Sequence, residues 1–231
     1  MADESFYAIK SLAFSHITRG PHIVCRPIHE GGKRHMHSSV SIPGYDYGTV
    51  RVRRSPVTLD ELRQIEQAAG FSEENQHALQ RAGEILVEQA EQMVDSWRAR
   101  IAAQPELARR FFDPNGKPNE AYKAAVKKRF VQWVRDTCMR PRDQAWLDYQ
   151  EEIGLRHTPA KKNQTDGAHT PPVVPLRYLI AFVAAVNPIR AFLCRGKHSA
   201  EEIEQMQNAW SKAVLIQISL WSRPYVKEGL W

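Results

Sequence analysis

Apolar positions recur at threes and fours through most of this chain. Leu79, Ala82, Ile85, Leu86, Ala90, Met93, Val94 and Trp97 trace one face of a long helix over residues 72–103. Upstream, Thr58 followed by Glu61 is a capping-box pattern that opens a short helix, and Gly70 can end it. Downstream, the turn signal DPNG (residues 113–116) precedes a third helix over 119–140, with Tyr122, Val126, Phe130 and Trp133 on one face. Asp143 can cap a fourth helix, and Pro159 blocks its continuation by disfavouring helical backbone at Thr158. After the polar loop KKNQTDGAHTPP, a fifth segment over 176–193 is predicted to kink or break near Pro188. Ser199 with Glu202 opens the last helix, carrying Ile203, Met206, Trp210, Val214, Ile218 and Leu220. No strand pattern of any length competes, so the expected fold class is all-α, with long helices layered in one domain.

The first 41 residues have a different character. They hold five of the nine histidines (His16, His22, His29, His35, His37) with turn signals and no sustained period. Their spacing gives no coordination geometry, so residues 1–41 read as a mobile N-terminal extension rather than a metal-binding arm. Composition adds bounds. At 231 residues, 42% hydrophobic and 25% charged, the chain is an ordinary globular protein. The net charge of +6 comes from interspersed charges, 32 basic and 26 acidic, which does not describe a nucleic-acid groove. Cys25, Cys138 and Cys194 form no CxxC pair and no even framework, and are read as reduced thiols of a cytoplasmic protein. The most apolar run, residues 178–186, is far too short for a bilayer, so no membrane partner is expected.

Chemistry concentrates at WLDYQEEIGLRHTP. Counting back from His157 by helical neighbours gives Ile153, Gln150, Tyr149 and Trp146, so the imidazole ends a mostly apolar face. In the last turn of a helix, a carbonyl without an intrahelical partner can accept the Nδ1 hydrogen and leave Nε2 as an outward lone pair, as a metal-ligating histidine needs. A histidine at a helix C-terminus also suits the dipole in any protein. No second His, Cys or carboxylate stands at ligand spacing, so a metal here would have to bring its other ligands with it, as haem does. Three apolar stripes offer a slot for such a group: Met93 with Trp97, Val126 with Phe130, and Leu179 with Phe182.

The segments IPGYDYG, AGEILVEQ, DSW, NEAYKAAVKKRF, DQAWLDYQEEIGLRH, KKNQTDG, RYLIAF, AWSKAV and LWSRPYV make residues 42–231 resemble a protoglobin, the single-domain relative of the globin-coupled sensors. The resemblance implies a globin sandwich with an additional N-terminal helix and loop. It implies haem b (iron protoporphyrin IX) with His157 as the axial metal ligand. It implies that the IPGYDYG loop, with Tyr45 and Tyr47, folds over the propionate edge. It places Trp97, Phe130 and Phe182 on the distal side, with Met93, Val126 and Leu179 lining the pocket. Arg129 falls where a propionate partner is expected, although its position one residue off the Phe130 face also suits a surface charge.

One departure stands out against the family pattern. Arg98 follows Trp97 where the family usually has a tyrosine whose hydroxyl can donate to bound dioxygen. Either Arg98 turns inward as a cationic donor or it points outward or toward a propionate, and the cost of burying an unpaired guanidinium favours the latter. The expected function is reversible binding of diatomic gases (dioxygen, carbon monoxide, nitric oxide) at a pentacoordinate haem, for sensing, scavenging or buffering. No output domain is expected after Trp231. The alternative is a haem enzyme turning over nitric oxide, peroxide or a related species, with Arg98 as an electrostatic group. A haemless interaction module is a third reading, disfavoured by His157. The resemblance further implies a homodimer through the last two long helices.

Overall fold

The computed structural model describes residues 41–227 and 229–231, and the expectations for the histidine-rich segment and Cys25 lie outside the described residues. Among the described residues eight α-helices follow in order: α1 (Leu59–Ala68), α2 (Glu73–Ala102), α3 (Pro105–Ala108), α4 (Glu120–Met139), α5 (Gln144–Leu155), α6 (Leu176–Val186), α7 (Arg190–Leu193) and α8 (Ala200–Ser222). Short 3-10 turns follow α3 and α8. Among the described residues the extended pairing is limited to one isolated bridge, between Phe112 and Pro118. The fold is the all-α globin type expected.

The helix starts follow from their caps. Thr58 and Ser199 each form the anticipated capping box, with Glu61 and Glu202. Ser72 opens α2 by the same device with Asn75 as its partner. Asn119 accepts from the Tyr122 amide, and Asp143 from the Trp146 amide. Pro188 does break the fifth segment, giving α6 of 11 residues and α7 of four. The stretch Leu176–Leu193 is long and apolar enough by composition to cross a membrane. Because of that break, neither α6 nor α7 reaches the roughly 20 residues such a span requires. The helix α3 was not anticipated, although Pro105 occupies its first turn, where a missing amide hydrogen costs nothing.

The core forms where α2 crosses α4 and α8. Leu79, Leu86, Met93, Val94, Trp97, Val134, Met206, Trp210 and Val214 are all shielded from solvent. Gly83 permits the crossing of α2 on α4, because a Cβ there would lie 2.5 Å from Met139 Sδ and 2.8 Å from Cys138 Cβ. At the centre, Trp133 stands against Trp97 at 6.2 Å and Trp210 at 5.5 Å between ring centroids. Two of these indoles use their N–H groups. Trp133 donates to Gln217 Oε1 at 2.7 Å and Trp210 to the Val186 carbonyl at 3.0 Å. Cys138 is a free, buried thiol, whereas Cys194 is disulfide-bonded, which corrects the expectation of a reduced thiol there.

Candidate functional site

Between α4, α5, α6 and α8 the core opens into a cavity of about 240 Å³. Its walls are mostly apolar. Val126 and Phe130 come from α4, Ile153 from α5, Leu179, Phe182 and Val183 from α6, and Val214, Ile218 and Trp221 from α8. His157 lines it from the turn that follows α5.

Several tethers fix that turn. His157 Nδ1 lies 2.8 Å from the Ile153 carbonyl, so Nδ1 carries the hydrogen and Nε2 is left as a lone pair toward the cavity. The ring stacks on Trp221 at 5.9 Å with 22° between planes. The His157 carbonyl accepts from the Val174 amide at 2.8 Å and from the Tyr225 hydroxyl at 3.0 Å. Below it, two buried carboxylates of α5 are ion-paired: Glu151 with Arg223, and Glu152 with Arg156 at 2.9 Å and Lys161 at 2.6 Å. Burial, assisted by the charges of Lys162 and Arg156 and partly opposed by the bond to Ile153, lowers the imidazole from its usual 6.5 to about 4. At neutral pH it is therefore uncharged, the form that ligates a metal.

Charge gathers along one edge. Arg129 forms a two-pronged pair with Asp166, at 2.9 and 2.6 Å, and its Nη1 also donates to the Pro43 carbonyl at 2.8 Å. Arg156 donates to the Gly44 carbonyl at 2.6 Å. The IPGYDYG loop is thus clipped to this edge by two guanidinium groups. Gly44 has φ +70°, and a Cβ there would lie 2.6 Å from Thr165 Cγ2 and 2.7 Å from Arg129 Nη1, so only glycine fits the closure. Two more buried cations, Arg110 and Lys162, line the same cavity with Tyr122.

The structure brings Val126, Phe130, Leu179, Phe182, Arg129 and His157 to the cavity wall. Met93 and Trp97 stand one layer behind it in the core, with Trp97 against Phe130 at 5.4 Å. Arg98 is half-buried and lies outside the cavity lining. Tyr45 donates to Asp136 Oδ2 at 2.7 Å, and both loop tyrosines pack on Tyr149, at 5.3 and 5.5 Å. They brace the loop rather than face the void. Arg110, Tyr122, Lys162, Asp166, Trp221 and Tyr225 belong to the site without having been singled out from the sequence for it. All but Arg110 carried some hint, as members of the quoted segments: Tyr122 of NEAYKAAVKKRF, Lys162 and Asp166 of KKNQTDG, and Trp221 and Tyr225 of LWSRPYV.

The donor set fits haem. A single neutral, backbone-anchored imidazole, flat aromatic and aliphatic walls, and cations along one edge match an iron porphyrin with two carboxylates. The chain matches the Protoglobin family over residues 58–231. It is also similar in structure to the globin domain of the Geobacter sulfurreducens globin-coupled sensor, at 16% identity and TM-score 0.55, over 71% of this chain and 97% of that one. Comparison with curated proteins gives no match. The chain belongs to the protoglobin family of haem globins.

Proposed function

Proceeding from that membership, we propose that the chain binds diatomic gases reversibly at a b-type haem held by His157, in sensing, scavenging or buffering. The observation that carries this reading is the neutral His157 imidazole, its Nδ1 tied to Ile153 and its free nitrogen turned toward an apolar cavity. When bound, haem supplies a ferrous iron that can take dioxygen, carbon monoxide or nitric oxide. The side chains do the rest. The Ile153 carbonyl fixes the tautomer and raises the basicity of Nε2. Phe130, Phe182, Leu179 and Val126 exclude water from the void. The cationic edge receives carboxylates, and the Gly44 loop covers that edge.

Carriage rather than turnover is favoured because the catalytic reading relied on Arg98, which does not line the cavity. Pairing of two copies through α6 and α8 is part of the same proposal. It is supported by the exposed Ile180 and Leu215 on those helices, and a solution mass twice that of the chain is the expected result. The decisive experiment for the haem reading is reconstitution with haemin followed by reduction and exposure to carbon monoxide. A Soret band that shifts on gas binding in the native protein, and is lost or altered in His157→Ala, is expected. Absence of a Soret band, or an unchanged one in His157→Ala, overturns the proposal.

A further inference from the structure

A carboxylate entering this cavity meets four cations along one edge, and they are not equivalent. Arg156 is engaged with Glu152 and the Gly44 carbonyl. Arg110 donates its Nε and Nη1 to the Glu106 and Val173 carbonyls, and its charge is partly matched by the Glu106 carboxylate, 3.7 Å from Nη2. Arg129, the residue that family resemblance offers as a propionate partner, is already saturated on its two-pronged face. Both Nη1 hydrogens are taken, by Asp166 and Pro43, and Nη2 reaches the second Asp166 oxygen. On that face a ligand carboxylate would have to evict Asp166, which is itself shielded from solvent, and anywhere on Arg129 it would gain little because the pair is electrically neutral.

Lys162 differs. It is 3% exposed, yet forms no ion pair among the described residues. Its ammonium donates to the Arg110 carbonyl at 2.9 Å and to Thr170 Oγ1 at 2.6 Å. Thr170 is locked in turn by donating to Asn163 Oδ1 at 2.8 Å, so the amine is held in place rather than swinging freely. An ammonium has three N–H donors, and two are used. The third remains for the cavity that Lys162 lines, beside the Tyr122 ring at 5.2 Å. Tyr122, Arg129 and Asp166 line the same cavity, so the free donor and the Arg129 pair face one void.

We propose that Lys162 is the carboxylate-binding residue of this cavity, taking one haem propionate directly, while Arg129 stays paired with Asp166 as the latch of the Gly44 loop. The inference rests on the haem reading above. A buried ammonium without a counterion is a standing electrostatic cost, and burial beside Arg110 already lowers Lys162 to about 8. An incoming carboxylate removes that cost, which Arg129 cannot offer because its charge is matched already.

The test pairs a change in the protein with a change in the ligand. Native protein, Lys162→Met and Arg129→Met are each loaded with haem and with haem dimethyl ester, whose carboxylates are masked. Release is timed by transfer to excess haem-scavenging apoglobin. In the native protein the ester should leave at least about tenfold faster, corresponding to about 1.4 kcal/mol. In Lys162→Met the ratio between ester and haem should fall below about threefold, and in Arg129→Met it should persist. The ester arm needs no mutation, and methionine keeps most of the stem that packs by Tyr122 while removing a buried charge. An undiminished ratio in Lys162→Met, or its loss in Arg129→Met instead, overturns this assignment and leaves the haem reading intact. Failure of the native protein to give a Soret band overturns both.

Discussion

Protonation of His157 should set the acid stability of the haem-free protein. The imidazole ordinarily titrates at 6.5 and is held at about 4 in the fold, chiefly by burial, with Lys162 and Arg156 adding repulsion. The sign follows directly. Between those two values the unfolded chain binds a proton that the folded chain refuses, so stability falls as pH drops from 6.5 toward 4 and levels off below. The distance between them, at about 1.4 kcal/mol for each pH unit, amounts to about 3 kcal/mol in all, of which about 2 should be lost by pH 5.

His157→Gln isolates this contribution, since glutamine can keep a polar group near the Ile153 carbonyl but does not titrate. Urea unfolding of both haem-free proteins, followed by far-ultraviolet circular dichroism from pH 7.5 to 4, measures the difference between them. Ionisable groups common to both proteins cancel in that difference. The native protein should converge on or fall below the variant by about 2 kcal/mol between pH 7 and 5. Parallel curves over that range would refute the claim that the fold holds His157 neutral, and with it the argument that Nε2 is kept ready for a metal.

Three further substitutions probe the surroundings. Gly44→Ala forces a side chain into left-handed backbone against Thr165 and Arg129, and should cost about 1–3 kcal/mol while speeding amide exchange in residues 42–48; unchanged exchange would mean the loop is not clipped as described. Trp133→Phe leaves the buried Gln217 oxygen without its donor and should cost about 1–3 kcal/mol in chemical denaturation, a loss below the scatter counting against that bond. Arg98→Leu should leave dioxygen and carbon monoxide release within about threefold of native, or about 0.7 kcal/mol, in stopped-flow measurements, since Arg98 lies outside the cavity lining. Tenfold faster dioxygen release alone would place its guanidinium inside.

Local signals in the sequence were sufficient for the scaffold and for one atom of the site. Thr58 with Glu61, Asp143, and Ser199 with Glu202 each act within three or four residues, so their helix starts can be read without knowing the fold. Pro188 breaks its segment for an equally local reason. The His157 tether belongs to this class too, because its partner is the carbonyl four residues back. The helix α3 escaped notice because four residues are too few to show a period, even with proline at its first turn.

The charged edge was illegible for a different reason. Arg129 lies 37 residues from Asp166, and Lys162 lies 52 from the Arg110 carbonyl. A lysine in a polar loop looks solvated until the loop is seen folded against another segment. The two readings offered for Arg129, surface charge and propionate partner, both missed the internal ion pair that the fold supplies. The same logic separates the residues that line the cavity from those behind it. Met93 and Trp97 share the helical period of a pocket-facing stripe, but α4 lies across that face of α2 and places Phe130 between Trp97 and the void. Periodicity reports which face of a helix turns inward. Only the crossing of a second helix decides whether that face meets a ligand or another side chain, and here Phe130 of α4 meets Trp97.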